Sequence, residues 1–335
     1  MIENDAIRVF HRNLHQWYNA HGRKDLPWRN TRDPYAIYIS EIMLQQTQVK
    51  TVLERYYFQF LSRFPTLSAL ASAKQTEILS AWQGLGYYNR ALNLHETARR
   101  CGNQLPGDVE SLMALPGIGR NTAHAVAAFA FRQPVAVMEA NVRRVLSRIF
   151  ALQNPSEPEL WEKAGQLLDK NHPFDYNQAM MDIGATICKK RAPLCHSCPA
   201  ETICQGKTAP ELYPAAKTIK SPPVREKRIV VLQSGDRYYA SPRRTRFLNG
   251  LHHFIEIDAD TTHIALNNRE YALDKPLGHI RQQYSHFTLS AEVFLLVVPL
   301  LTGKNWHSRA AMLKLPVSMA ERKIMTLLDD SMLTK

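Results

Sequence analysis

The chain has 335 residues, long enough for two or three domains with cores of their own. Hydrophobic residues make up 45% and charged residues 21%, an ordinary globular balance, and no apolar run approaches the roughly 18 residues of a membrane span. The net charge of +12 and pI of about 9.5 favour an anionic partner, nucleic acid above all, through phosphate contacts and counterion release. That excess is uneven: residues 1–228 hold 29 Lys and Arg against 20 Asp and Glu, residues 229–335 only 13 against 10.

Up to residue 205 the pattern is helical. Val49, Val52, Leu53, Tyr56, Tyr57, Phe60 and Leu61 recur at spacings of three and four and form one apolar face. Asp33-Pro34 reads as a cap followed by Pro at the first helical position, which predicts a helix over 34–45. With Thr47 as cap, the next runs over 48–63. Further helices are predicted over 67–73, 76–85, 88–101, 109–114, 120–131, 139–150, 157–170 and 174–188. Pro210, Pro214, Pro222 and Pro223, set among basic residues, mark 206–228 as a linker. Beyond it the period shifts toward two, with strands predicted at 228–233, 238–241, 253–258 and 292–299 and a closing helix at 320–333.

Two local motifs carry chemistry. Cys188, Cys195, Cys198 and Cys204 place four thiolates within 17 residues, too crowded for a secreted disulfide framework. By chemistry alone they suit an iron–sulfur cluster or a structural zinc equally. Cys101 stands apart as a plain thiol. Leu115-Pro116-Gly117-Ile118-Gly119 lies between two predicted helices and reads as a helix-hairpin-helix turn. The N–H groups at Gly117, Gly119 and the helix start at Arg120 can meet a phosphate oxygen there.

Four longer stretches carry a resemblance. They are Leu26-Pro27-Trp28-Arg29, Ser40-Glu41-Ile42-Met43-Leu44-Gln45-Gln46-Thr47-Gln48, Gly84-Leu85-Gly86-Tyr87-Tyr88-Asn89-Arg90-Ala91, and Asn177-Gln178-Ala179-Met180-Met181-Asp182-Ile183-Gly184-Ala185 leading to Cys188. With the hairpin and the cysteines, the chain resembles the MutY adenine-DNA glycosylases, densely over residues 10–205 and weakly beyond, through Tyr284-Ser285-His286-Phe287.

The resemblance implies a mainly α fold. Its glycosylase core at 1–205 would have two subdomains, a six-helix part over 25–131 and a cluster part made of 1–24 and 132–205. A small α+β Nudix-like domain would follow at 229–335. It also implies a 4Fe–4S cluster on the four cysteines, and double-stranded DNA with adenine opposite 8-oxoguanine or guanine as the partner. The protein is expected to be a cytoplasmic, nucleoid-associated monomer with no membrane contact. Residues 229–335 lack the Nudix hydrolase signature, so recognition rather than nucleotide hydrolysis is implied.

For the chemistry, a flipped-out adenine must be protonated to leave, and Glu41, beside Ile37, Tyr38 and Leu44 on one helix face, is the expected acid. A second carboxylate should stabilise the sugar cation. The family has Asp-Gly-Asn-Val there, whereas this chain reads Glu139-Ala140-Asn141-Val142, so the carboxylate sits one methylene, about 1.5 Å, farther out. Asn141 is expected to orient it. Asn121 stands where lyase-active relatives carry a Schiff-base lysine, which implies a monofunctional enzyme. Gln45, Gln46 and Thr47 are expected at the vacated stack, and Leu85, Tyr87 and Tyr88 as wedge and stacking groups. Ser285 and His286 would read 8-oxoguanine. Three alternatives stay open: a glycosylase for another base, a weak or inactive mismatch-binding homologue, and a zinc-ribbon DNA-binding protein.

Overall fold

The computed structural model describes residues 2–216, 221–245, 247–299 and 303–333, with side chains to residue 330. The helices in chain order are α1 (Asn4–His21), α2 (Pro34–Leu44), α3 (Val49–Arg55), α4 (Tyr57–Arg63), α5 (Leu67–Ser72), α6 (Gln75–Ala81), α7 (Asn89–Cys101), α8 (Val109–Met113), α9 (Arg120–Ala130), α10 (Ala140–Ile149), α11 (Glu157–Leu167) and α12 (Pro173–Asp182). The start of α2 follows from local chemistry: Asp33 accepts the Tyr35 N–H at 3.0 Å, and Pro34 occupies the first helical position. The helix predicted over 48–63 is two helices. Tyr56, at φ −125°, leaves the helical region between α3 and α4, and the break turns Tyr57 and Phe60 into the core. Thr47 is not its cap; Gln48 holds that place, and the Thr47 hydroxyl donates to Gln45 O instead. The helix predicted over 174–188 ends at Asp182 and continues as a π-helical turn, Ile183–Ile187.

Two compact units emerge: Met1–Ala71 with Glu96–Thr218, and Ser72–His95 with Ile219–Lys335. In the first unit the N-terminal helix returns late in the chain. Phe10, Leu14 and Tyr18 of α1 share a core with Val142, Val145, Leu146 and Ile149 of α10, Leu160 and Leu167 of α11, and Tyr176 and Met180 of α12, with Cys188 and Cys198 packed at its edge. A smaller core joins Ile37 of α2 to Ala125 and Phe129 of α9 and to Val137 and Phe174.

The strands of the second unit in chain order are β1 (Val224–Ser234), β2 (Arg237–Tyr239), β3 (Ser241–Pro242), β4 (His252–His253), β5 (Ile255–Asp258), β6 (His263–Leu266), β7 (Arg269–Ala272), β8 (Gly278–Gln283), β9 (Thr288–Val297) and β10 (Trp306–Ser308), and the main sheet runs β10-β2-β1-β9-β8 with β5 also paired to β1. β1 and β9 pair in parallel from Val224 opposite Thr288 to Gln233 opposite Val297. Alternate residues of β1 face opposite ways. Ile229 and Val231 join Ile324 and Leu328 of the closing helix (Met319–Leu333), while Val230 and Leu232 join Leu273 and Phe294. Both faces are therefore buried. Two expectations are corrected here. Residues 224–228, read as linker, are the first half of β1, because the parallel pairing with β9 satisfies their backbone. Gly206 to Tyr213, also read as linker, are pinned to α10, since Arg148 Nε donates to Pro210 O at 2.8 Å and to Tyr213 O at 3.1 Å. Of the stretch read as linker, residues 217–220 lie outside the described residues. Ser72–His95, expected within the helical core, groups with the sheet, where Tyr88 Oη donates to Val317 O at 3.3 Å. Among the described residues no helix is long and apolar enough to cross a membrane.

One ion pair holds the first unit together across the sequence. Asp182, fully buried at the end of α12, accepts Arg29 Nη1 at 2.8 Å and Nη2 at 2.9 Å, and Arg23 N and Nε at 2.9 and 2.7 Å. Burial opposes its charge, but these donors outweigh burial and hold its pKa below the ordinary carboxylate value. Its stabilising contribution is therefore fully present above about pH 4 and is lost as pH falls through the depressed folded value. Asp182→Ala leaves Arg29 buried without its partner and should destabilise the chain by about 3–5 kcal/mol, measured by urea unfolding at pH 7. A loss below about 1 kcal/mol would show that the pair does not hold this unit.

Candidate active site and cysteine loop

The carboxyl group of Glu41 lies on α2, half-buried, with no hydrogen-bond partner among the described residues. Burial and the nearby Glu139 carboxylate push its pKa up to about 7, against the opposing charge of Arg29. Glu139 is the residue before α10, in ordinary extended backbone (φ −87°, ψ 173°), and Ala140 is the first helical residue, where a Cβ is no strain. The Ala-for-Gly change is thus absorbed by helical geometry. Burial raises the Glu139 pKa, opposed by hydrogen bonds from Asn141. Glu139 Oε2 accepts Asn141 Nδ2 at 3.3 Å, while Oε1 is buried with no partner among the described residues.

Glu139 reaches this place because the segment before it is clamped. Asn177 Oδ1 accepts the Val137 N–H at 2.8 Å, and its Nδ2 donates to Val135 O at 2.9 Å. Asn121 Oδ1 accepts the Met138 N–H at 2.7 Å, and His124 Nδ1 donates to Ala136 O at 2.8 Å. These donors and acceptors satisfy backbone that has neither helix nor sheet to satisfy it. Asn141 is set from the other side. Its Oδ1 accepts Arg144 Nη2 at 2.8 Å, and a Cβ on Gly184 would stand 2.5 Å from the Asn141 Cβ, so only glycine lets the π-turn approach α10 there. Asn177 and Gly184 stood in a quoted motif without a role, and the clamp made by Asn121 was not legible.

The other expected residues scatter. Gln45 Nε2 donates to Thr122 Oγ1 at 3.1 Å; Gln46 is exposed, with φ at 56°. At the hairpin Gly117 needs glycine, with φ at 72°, whereas Gly119, at φ −82°, has nothing within 4 Å of a built Cβ. The space over Gly119 is open at the start of α9. Arg120, next along, rests its guanidinium 4.0 Å over the Trp161 ring. In the second unit, Leu85 and Tyr88 are buried at 6% and 5% exposure, and only Tyr87 presents its ring, at 45%. That corrects the wedge reading: Leu85 and Tyr88 are core residues in this structure, because Tyr87 takes a positive φ (48°) and turns outward while its neighbours turn in. Ser285 and His286 are exposed at the tip of the β8–β9 hairpin, where the Tyr284 N–H donates to Phe287 O at 2.8 Å.

Cys188, Cys195, Cys198 and Cys204 line one pocket, and none forms a disulfide. Burial pushes the Cys198 thiol up to about 12 and the Cys204 thiol up to about 11, so cation binding would have to displace protons. Two arginines on one face of α10 anchor the loop: Arg144 Nε donates to Cys188 O at 2.8 Å, and Arg148 Nη1 to Cys188 Sγ at 3.2 Å and Lys189 O at 2.7 Å. Their spacing of four puts both on one face of the helix.

A model of the HhH-GPD superfamily base excision DNA repair proteins matches residues 39–170. An adenine DNA glycosylase of Rattus norvegicus is 43% identical over 218 residues, 60% of this chain and 42% of that protein. One from Buchnera aphidicola subsp. Schizaphis graminum is 32% identical over 325 residues, 90% of this chain and 91% of the relative. A solved structure of a thermostable thymine-DNA glycosylase superposes with a TM-score of 0.57 at 32% identity, covering 61% of this chain and 98% of that one. The chain thus spans about two-fifths of the length of the rat relative and about nine-tenths of the Buchnera one.

Glu139→Gln removes the second charge beside Glu41. The Glu41 pKa should then fall from about 7 yet stay above the ordinary carboxylate value, since burial remains. Carbon-13 NMR titration of labelled carboxyl groups reads this directly, and an unmoved Glu41 would show that the two carboxyls do not sense each other.

Proposed function

The chain belongs to the adenine DNA glycosylase family, and on that premise we propose that it excises adenine lying opposite 8-oxoguanine or guanine in double-stranded DNA. The observation that carries the reading is the pair of half-buried residues Glu41 and Glu139, whose carboxyl pKa values burial raises, Glu41 to near neutrality. Glu41 in its acid form donates a proton to N7 of the flipped adenine. The C1′–N9 bond then breaks with its electrons leaving on the base. Glu139, steadied by Asn141, stabilises the positive sugar and guides a water to C1′. Glu139 Oε1, buried and unpartnered, is the free acceptor for that water or cation. Asn121, committed to the Met138 N–H, offers no amine for a Schiff base, so the enzyme is monofunctional.

The hairpin at Gly117, Gly119 and Arg120 receives a phosphate over its open N–H groups. Gln45, Gln46, Thr47 and the exposed Tyr87 meet the distorted duplex, and Ser285 and His286, at an exposed hairpin tip, read the opposing base from a Nudix-like domain. Cys188, Cys195, Cys198 and Cys204 hold a 4Fe–4S cluster, a reading supported by the pocket they share and by the family membership. Such a cluster supplies a covalent cross-link over residues 188–204 and takes no part in the bond cleavage.

A duplex with one adenine opposite 8-oxoguanine, incubated with the protein and then treated with alkali, should be cut at the adenine. An otherwise identical duplex with a thymine opposite guanine should stay intact. Glu41→Gln should retain binding and lose about 10²–10⁴ in single-turnover rate. Because the acid form of Glu41 is the active one, the wild-type rate should fall as pH rises through about 7. Binding without scission by the wild-type protein would instead identify a mismatch-binding homologue.

A further inference from the structure

Away from the two carboxyls and the cysteines, three side chains meet where α1 passes the turn between α11 and α12. His15 Nε2 lies 2.8 Å from Asp169 Oδ2, and His172 Nδ1 lies 3.2 Å from the same oxygen. All three ligand atoms fall within 4.8 Å of one another. The two imidazole rings stand 5.2 Å apart, at 71°. From this geometry we infer that His15, Asp169 and His172 form a second metal site, separate from the cysteine loop, which takes a divalent transition cation of the zinc type and fastens α1 to residues 167–172.

Three observations carry this. The donor set, two imidazoles and one carboxylate, suits zinc and its neighbours and leaves a fourth position for water. Tetrahedral zinc with bonds of about 2.0–2.2 Å sets its ligand atoms about 3.3–3.5 Å apart. The measured separations are 2.8 Å to His15 and 3.2 Å to His172, so a metal would have to spread His15 from the carboxylate by about 0.5 Å while His172 already stands close to the required distance. The carboxylate is also already oriented. Asp169 is 7% exposed, and its Oδ1 accepts the Asn171 N–H at 3.0 Å and the His172 N–H at 3.4 Å, so Oδ2 alone is presented to the rings. A ligating carboxylate whose other oxygen is held by the surrounding protein is the usual outer support of a metal site. One turn earlier His11 Nε2 is taken by Leu167 O at 2.8 Å, which leaves three ligands rather than four.

The bland alternative is a carboxylate that merely bridges two histidines by hydrogen bonds. Zinc chloride titrated calorimetrically into the full chain separates the two. The wild-type protein should bind one more zinc than either His172→Ala or His15→Leu, or bind it at least about tenfold more tightly than both. All four cysteines are present in all three proteins, so any zinc taken by sulfur is common to them and cancels in the comparison. In parallel, zinc should raise the wild-type melting temperature and leave that of His172→Ala unchanged, and the exposed position of His172 makes that variant safe for folding. Identical zinc isotherms for the three proteins, or no zinc-dependent melting shift in the wild type, would overturn the site. The test uses no glycosylase readout, so its failure leaves the excision reading untouched.

Discussion

Asp182 is the point on which the part of the first unit that carries Glu41 and Glu139 depends. A carboxylate with no solvent exposure is tolerable only if its charge and lone pairs are met, and Arg29 and Arg23 meet them from residues more than 150 positions earlier. That requirement draws the segment before α2 against the end of α12. Two consequences follow. Arg29 comes close enough to Glu41 to temper the rise in its pKa, and the chain turns into the π-helical segment at once, bringing Gly184 against Asn141. Asn141 in turn holds Glu139. One buried ion pair thus sets both carboxyls from opposite ends of the unit.

The two acids are an arrangement that stability alone would not select. Burying a carboxyl without partners raises its pKa and costs free energy whenever the group is charged. Glu41 is left without a hydrogen bond and Glu139 with one buried oxygen unmet, whereas the structural carboxylates Asp169 and Asp182 are each saturated with donors. The same residue class is treated in opposite ways within one unit. A free acid proton and a free acceptor are what the proposed glycosidic cleavage would use. Glu139, longer than an aspartate, still engages Asn141, because its backbone is clamped by Asn121 and Asn177 rather than free to drift.

The cysteine loop shows how motif and framework divide the work. Four cysteines state that something is bound, but their spacing along the chain left zinc and iron–sulfur equal. Folding brings the four side chains, spread over 17 residues, to the lining of one pocket. The loop keeps its shape through Arg144 and Arg148, whose donors reach backbone carbonyls and the Cys188 sulfur. A basic residue four positions from another on a helix is ordinarily a solvated pair, and only packing reveals that these two point inward.

What the sequence determined by itself was local and chemical. Asp33-Pro34 starts a helix because a cap and a fixed φ act within three residues. Glu41, the four cysteines and the Gly117 turn are legible because each needs a particular side chain or a particular backbone freedom. Tertiary structure decided whatever depends on residues far apart in the chain. It broke the 48–63 helix at Tyr56, drew 224–228 out of the linker and into a parallel strand, and put Leu85 and Tyr88 in the core while leaving Tyr87 outside. It also recruited Asn121, Asn177 and Gly184 to place Glu139. Those outcomes satisfy backbone groups and charges with partners tens to hundreds of residues away, and no short-range pattern encodes which partner arrives.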